Sequence, residues 1–227
     1  MLDVKLNLKE DDYRSNEAYK SLRTNIEFSG VDNKVLGFTS CTPNEGKSSV
    51  SIMVAKSLTD IGKKVLFIDA DLRKSVLIGR HRVGQVAKGL SHLLSGQAKF
   101  DDVACHTEYE GMDVIFAGPV PPNPAELVGG RRFEELIHYG REHYDYVIID
   151  TPPLGSVIDS AIIAKACDAM ILVISANTIS YKFAKTVKAQ LEQTGCKILG
   201  VALNKVDMKQ NKYYGKYYGN YYGKEEK

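Results

Sequence analysis

Six short runs of apolar residues punctuate the chain: Val35 to Phe38, Val65 to Ile68, Val114 to Phe116, Tyr146 to Ile149, Met170 to Ile174 and Ile198 to Leu203. Each is continuously apolar rather than alternating, which requires burial on both faces, and the longer stretches between them carry helical spacing. This pattern predicts an α/β fold: a doubly wound, mostly parallel sheet with helices on both faces. A length of 227 residues with 44% apolar content is enough for one sizeable core of that kind. Two segments are expected outside the sheet, a helical stretch from Asn16 to Ser29 and a tail after Asp207 that has no aliphatic residues with which to join a core. The expected division is therefore residues 1–30, a central domain over 31–207, and a flexible tail over 208–227.

The formal charge is +2, from 30 basic and 28 acidic side chains, so no global field points to nucleic acid. Cys41, Cys105, Cys167 and Cys196 form no C-x-x-C pair and have no histidine at metal spacing, which suits reduced thiols in a cytosol. The N-terminus carries Glu10, Asp11 and Asp12 and lacks the layout of a signal peptide. Ala169 to Ala176, the longest apolar run, is too short to span a bilayer. The chain is expected to be cytoplasmic, with any membrane role exercised through a partner.

The first apolar run leads into Thr39-Ser40-Cys41-Thr42-Pro43-Asn44-Glu45-Gly46-Lys47-Ser48-Ser49 and then a helical stretch near Val50. A loop ending in Gly-Lys-Ser between strand and helix turns backbone N–H groups toward a phosphate, adds the Lys47 ammonium at the β/γ-phosphates and offers the Ser48 hydroxyl to Mg²⁺. Asn44 to Ser49 are the candidate ATP-binding residues, with Gly46 required where backbone approaches phosphate. Cys41 stands where the usual pattern has its first glycine. The bland alternative is a glycine turn with an exposed lysine.

Two apolar runs end in aspartates, Ile68-Asp69-Ala70-Asp71-Leu72-Arg73 and Ile149-Asp150-Thr151-Pro152-Pro153. In an open α/β sheet both would lie at the C-terminal strand edge, onto which the phosphate loop also opens. Carboxylates there can hold Mg²⁺ or accept a proton from an attacking hydroxyl, although a single such aspartate could equally cap the following turn.

With these residues the chain resembles the bacterial tyrosine kinases of capsule and exopolysaccharide loci. Glu45-Gly46-Lys47 is similar to that family's phosphate-loop ending, Asp69, Asp71 and Arg73 match its apolar-Asp-x-Asp-x-Arg motif, and Val147 to Pro153 match its second acidic motif. Pro121 to Leu127 also match, in a stretch read here as a rigid connection to a helix near Arg131. The resemblance implies Mg·ATP-dependent transfer to tyrosine. Lys47 would stabilise the transferring phosphoryl, and Ser48, Asp71 and Asp150 would serve the metal. Asp69 and Asp71 would divide metal and base roles in an order the sequence leaves open. Arg73 would add charge near the phosphates or form an ion pair with a neighbouring carboxylate.

Asn204-Lys205-Val206-Asp207 spells the guanine-selecting N-K-x-D motif, but Asp150 is followed by Thr-Pro-Pro and lacks the switch glycine of a GTPase. Resemblance to the broader group of ATPases that position cell-division and chromosome-partition machinery, in which an asparagine at this strand end contacts adenine, implies that role for Asn204; its alternative is a cap on the final turn. A partition-type positioning ATPase is the alternative reading, and Thr42 occupies the place of that group's signature lysine. Six of the 13 tyrosines, Tyr213, Tyr214, Tyr217, Tyr218, Tyr221 and Tyr222, cluster among glycines and lysines in the tail and are the expected phosphoacceptors. Their structural alternative is a stacking surface.

Glu17, Lys20 and Arg23 fall three apart on one helical face, the spacing of a solvated ion-pair face. The family resemblance assigns them instead to contacts within a homo-oligomeric ring described as octameric, with lysine here replacing the family's first arginine. The resemblance further implies a separate transmembrane activator of the polysaccharide co-polymerase type, a cognate tyrosine phosphatase, and placement at the inner face of the cell membrane.

Overall fold

The structure is a computed structural model that describes residues 1–8, 13–81, 83–84 and 86–207. In chain order the elements are β1 (Leu2–Val4), α1 (Tyr13–Phe28), β2 (Val35–Ser40), α2 (Lys47–Thr59), β3 (Val65–Asp69), α3 (Leu77–Arg80), α4 (Leu90–Leu94), α5 (Phe100–Val103) and β4 (Ala104–Thr107). There follow β5 (Met112–Ile115), α6 (Pro124–Val128), α7 (Arg131–His143), β6 (Tyr146–Asp150), α8 (Asp159–Ala164), β7 (Ala169–Ser175), α9 (Tyr181–Glu192) and β8 (Lys197–Asn204). The strands form one sheet in the order β1-β4-β5-β3-β6-β2-β7-β8.

Its central strands are buried on both faces because their residues divide between two helix layers. Val65 and Phe67 of β3 join Leu36, Phe38, Ile52, Val54 and Leu58 on one side. Leu66 and Ile68 of the same strand join Val147, Ile149, Phe133 and Leu136 on the other. This is the alternation a strand imposes, with apolar groups at every position. The continuous runs thus form the sheet expected of them, except that Ile198 to Leu203 becomes the edge strand β8, where Val201 and Leu203 are exposed rather than buried on both faces.

Two strands escape the apolar-run pattern. β4 pairs antiparallel with β5, and β1 pairs parallel with β4. Both are short, and Leu2, Asp3 and His106 are exposed, so neither carries a doubly buried signature. The described parts of residues 1–30 are joined to the core rather than set apart from it. Leu6 and Ile26 are buried, and Tyr19 and Leu22 pack against the same cluster.

β6 lies between β3 and β2 with all three parallel, so the loops after these strands emerge together at one edge. Strand order reverses about β2, since its neighbours β6 and β7 come later in the chain. This is the topological switch at which ligands bind in open α/β sheets. The tyrosine cluster from Tyr213 to Tyr222 lies outside the described residues.

Candidate active site

The loop between β2 and α2 is shaped by its own side chains. Gly46, the N-cap of α2, has φ +88°, and a Cβ there would meet the Asn204 amide nitrogen at 2.1 Å. No side chain caps the helix, which leaves first-turn N–H groups for an incoming phosphate. Glu45 is 2% exposed. Its carboxylate accepts from the Cys41 N–H at 3.0 Å and from the Thr42 hydroxyl at 3.0 Å, closing the loop on itself. Asn204 donates to the Glu45 carbonyl at 2.9 Å and Lys205 to the Asn44 carbonyl at 2.6 Å, so the end of β8 braces the loop from outside. Burial pushes the Cys41 thiol up to about 12, which makes it a packing group rather than a nucleophile.

Lys47, the first residue of α2, is 6% exposed and places its Nζ 2.6 Å from Asp150 Oδ1 at the end of β6. It also donates to Ser48 Oγ at 3.3 Å, while the Ser51 hydroxyl donates to the same Asp150 oxygen at 3.3 Å. A buried charge is tolerated only when paired, and here the phosphate-loop ammonium and the strand-end carboxylate satisfy each other.

Asp69 is the register partner of Asp150 on the adjacent strand and is 1% exposed. Burial, then the Asp150 carboxylate, push it up to about 7, against the opposing pull of the Ser75 hydroxyl and Lys47. Its Oδ1 accepts the Asp71 N–H at 3.3 Å, and its Oδ2 accepts the Ser75 hydroxyl. Asp71 in turn accepts the Lys74 N–H at 3.0 Å. A carboxyl held near neutrality beside a lysine and a phosphate loop can take a proton from an attacking hydroxyl at working pH.

The tyrosine-protein kinase CpsD of Streptococcus agalactiae serotype III is 45% identical over 194 residues, covering 86% of this chain and 84% of that protein. YwqD, a tyrosine-protein kinase of Bacillus subtilis, is 36% identical over 88% of this chain and 85% of its own length. A domain family described as AAA domain matches residues 44–195. This chain belongs to the bacterial tyrosine kinases of capsule loci.

Solved kinases of this kind share the fold. The chimerical protein CapA2B2 superposes with a TM-score of 0.80 at 34% identity, covering 84% of each chain. The kinase domain of the Escherichia coli tyrosine kinase ETK superposes at 0.77 and 34% identity, over 85% of this chain and 77% of that one. A more distant likeness, with a TM-score of 0.64 and 26% identity over 75% of this chain and 69% of the other, is the septum site-determining protein MinD of Pyrococcus horikoshii complexed with Mg-ADP. The chain is thus a nucleotide-binding protein-tyrosine kinase.

The residues of this tyrosine kinase selected from sequence are not all free to touch nucleotide. Lys47 and Ser48 open α2, Asp69 and Asp150 end β3 and β6, and Asp71 follows β3, so all five lie along one edge of three adjacent strands. Glu45 instead faces into the loop, and Ser49 accepts a hydrogen bond from Arg80 at 2.9 Å. Arg73 forks onto Asp159 at 2.7 and 2.9 Å, an ion pair whose partner is 86 positions away rather than a neighbouring carboxylate. Ser75 and Asp159 escaped sequence reasoning. Ser75 lies six residues after Asp69 in a turn no motif describes, and Asp159 has no local signal at all.

Glu17 and Lys20 form an exposed pair at 2.7 Å. Arg23 turns inward, donating to the Ser57 carbonyl of α2 at 2.9 Å and to its hydroxyl at 3.3 Å. Among the described residues no helix is long and apolar enough to cross a membrane.

Proposed function

We propose that this kinase transfers the γ-phosphoryl of ATP to the clustered tail tyrosines, Tyr213 to Tyr222, of a neighbouring protomer. The observation that carries the reading is Asp69, a buried carboxyl raised to about 7 beside the Lys47–Asp150 pair. The tyrosine oxygen forms a bond to the γ-phosphorus, the bond from that phosphorus to the β–γ bridging oxygen breaks, ADP leaves, and the phenolic proton passes to Asp69. Lys47 meets the phosphates and gives up Asp150 as it does so.

Mg²⁺ suits this set of hard oxygen donors, and Ser48, Asp71 and Asp150 would hold it. Among the described residues no three His, Cys, Asp or Glu side chains gather into an all-protein metal cage. That accords with an ion usually bound by one or two carboxylates together with substrate phosphates. The bound ion would neutralise charge on the transferring group. Asn204, which already touches the phosphate loop, would lie beside the adenine.

In this reading residues 1–30 carry ring contacts through Glu17 and Lys20, in a homo-oligomer of eight. The kinase is cytoplasmic and meets a separate transmembrane activator at the inner membrane face, and a phosphatase resets the tail. Capsule or exopolysaccharide assembly is then coupled to the cycle of tail charge. Intact-mass measurement with site mapping tests the central step, using purified chain and its Lys47→Met variant with Mg·ATP. Successive phosphate additions on Tyr213 to Tyr222 in wild type alone support it. Lys47-dependent ADP release without phosphotyrosine supports instead a positioning ATPase, the reading favoured by the likeness to MinD.

A further inference from the structure

We infer that Arg73 acts as a positioning residue through Asp159, clamping the turn that carries Asp69 and Asp71 to the frame that carries the phosphate loop. The inference rests on the kinase reading of Asp69 above. Two observations join here that no local motif connects.

The first is the turn itself. From Asp69 to Ser75 the chain wraps around its own carboxylates, with Asp69 accepting from the Asp71 N–H and the Ser75 hydroxyl, and Asp71 accepting from the Lys74 N–H. Such a turn fixes the carboxylates relative to one another. The start of the turn is tied to β6, since Asp69 pairs in register with Asp150 and the Ala70 N–H donates to the Asp150 carbonyl at 2.8 Å, whereas these hydrogen bonds from Asp71, Lys74 and Ser75 stay within the turn and leave its far arm to be fixed by other contacts.

The second is the segment after Asp150, which is bonded to β2 at each step. Thr151 N–H donates to the Phe38 carbonyl at 3.0 Å, Leu154 N–H to the Ser40 carbonyl at 2.9 Å, and Thr39 Oγ1 to the Pro152 carbonyl at 2.9 Å. The Ser160 hydroxyl donates to that same Pro152 carbonyl. Asp159 sits on this frame, 1% exposed, at the first position of α8. β2 is also the strand from which the phosphate loop springs.

Arg73 bridges the two. Its Nε and one terminal nitrogen meet the two Asp159 oxygens in a bidentate fork, and its side chain is 41% exposed against 1% for the carboxylate. Fork geometry fixes orientation as well as distance, which a lysine point charge does not. A guanidinium whose charge is matched by a buried carboxylate is poorly disposed to add net positive charge at the phosphates. Its contribution to the reaction is the placement of Asp71 and of the Ser75 hydroxyl that bonds Asp69.

The test uses the full chain with Arg73→Gln, Arg73→Lys, Asp159→Asn and the Arg73→Gln/Asp159→Asn double variant. The clamp predicts that each single change lowers kcat about 10–100-fold, the usual cost of losing an orienting partner. It also predicts that the double variant is no worse than either single one, and that affinity for a fluorescent ATP analogue is unchanged. Lysine at position 73 should be nearly as impaired as glutamine. Amide exchange at Asp71 and Lys74 should rise in the impaired variants whether or not the preparation is active, so it decides the clamp separately from the kinase reading. Wild type that makes no phosphotyrosine, with exchange still raised in the variants, removes only the kinase reading. Weakened nucleotide binding in Arg73→Gln with a normal rate in Asp159→Asn, or full activity in Arg73→Lys, overturns the clamp. If Asp159→Asn does not fold, the partly exposed Arg73 variants decide the question through kcat, analogue affinity and amide exchange.

Discussion

At the scale of single residues, Asp69 makes the site pH-sensitive in two ways. In its proposed role as acceptor of the tyrosine proton it must be ionised, so kcat/KM should rise with pH to a plateau with a break near 7. Asp69→Asn should leave a slow residual rate without that break. For stability the direction is opposite. The carboxyl's folded value lies above its unfolded value of 3.8. The folded state therefore holds the extra proton, and its contribution is fully present below the unfolded value and lost as pH rises through about 7. Thermal melts from about pH 4 to pH 8 should show wild type losing stability relative to Asp69→Asn across this range; parallel curves would mean Asp69 titrates normally. Gly46 tests the loop. Gly46→Ala adds about 1–2 kcal/mol of left-handed backbone strain and drives Asn204 off the Glu45 carbonyl. Calorimetry should find nucleotide affinity reduced at least tenfold.

At the scale of elements, α1 does two jobs with residues three apart. Glu17 and Lys20 lie at the surface, whereas Arg23 lies against α2 and carries a hydrogen bond to the Ser57 carbonyl. Alanine at Glu17 and Lys20 together should leave the melting temperature within error while lowering particle mass in light scattering, if that face makes ring contacts. Arg23→Ala should cost about 1.5–3 kcal/mol, the range for a hydrogen bond to a charged group, visible in urea unfolding of the isolated chain. A mass change confined to Arg23→Ala would therefore report local unfolding of α1 from α2 rather than a ring contact.

At the scale of the whole molecule, the formal charge of +2 is small, and the proposed phosphorylation of the tail would reverse it. Each phosphotyrosine adds about −1.5 to −2 charges. Full modification of the six tail tyrosines would thus bring in roughly −9 to −12, far more than the whole chain's own imbalance. If rings form, phosphorylated material should elute as smaller particles at low ionic strength. The difference should narrow above about 0.5 M salt, where screening shortens the reach of the repulsion to a few ångströms. Equal elution of both forms at low salt would remove charge repulsion as the release mechanism.

The doubly wound sheet, the phosphate loop and the three aspartates of the site were legible in sequence because each is a local pattern. Continuous apolar runs carry a strand's burial on both faces, and strand-end motifs carry chemistry to a known edge. Short edge strands such as Leu2–Val4 and Ala104–Thr107 were not legible, since their pairing comes from neighbours across the sheet rather than from their own periodicity. The inward turn of Arg23, the Ser75 bond to Asp69 and the Arg73–Asp159 fork were likewise decided only by tertiary structure. Spacing along a helix names a face but not what covers it, and an ion pair spanning 86 positions leaves no trace in either flank. Local patterns along the chain dictate which residue types meet at the C-terminal edge of the sheet. Only the packed fold decided which of them are free to reach a substrate and which are held by one another, because buried charges must find partners wherever the chain brings them.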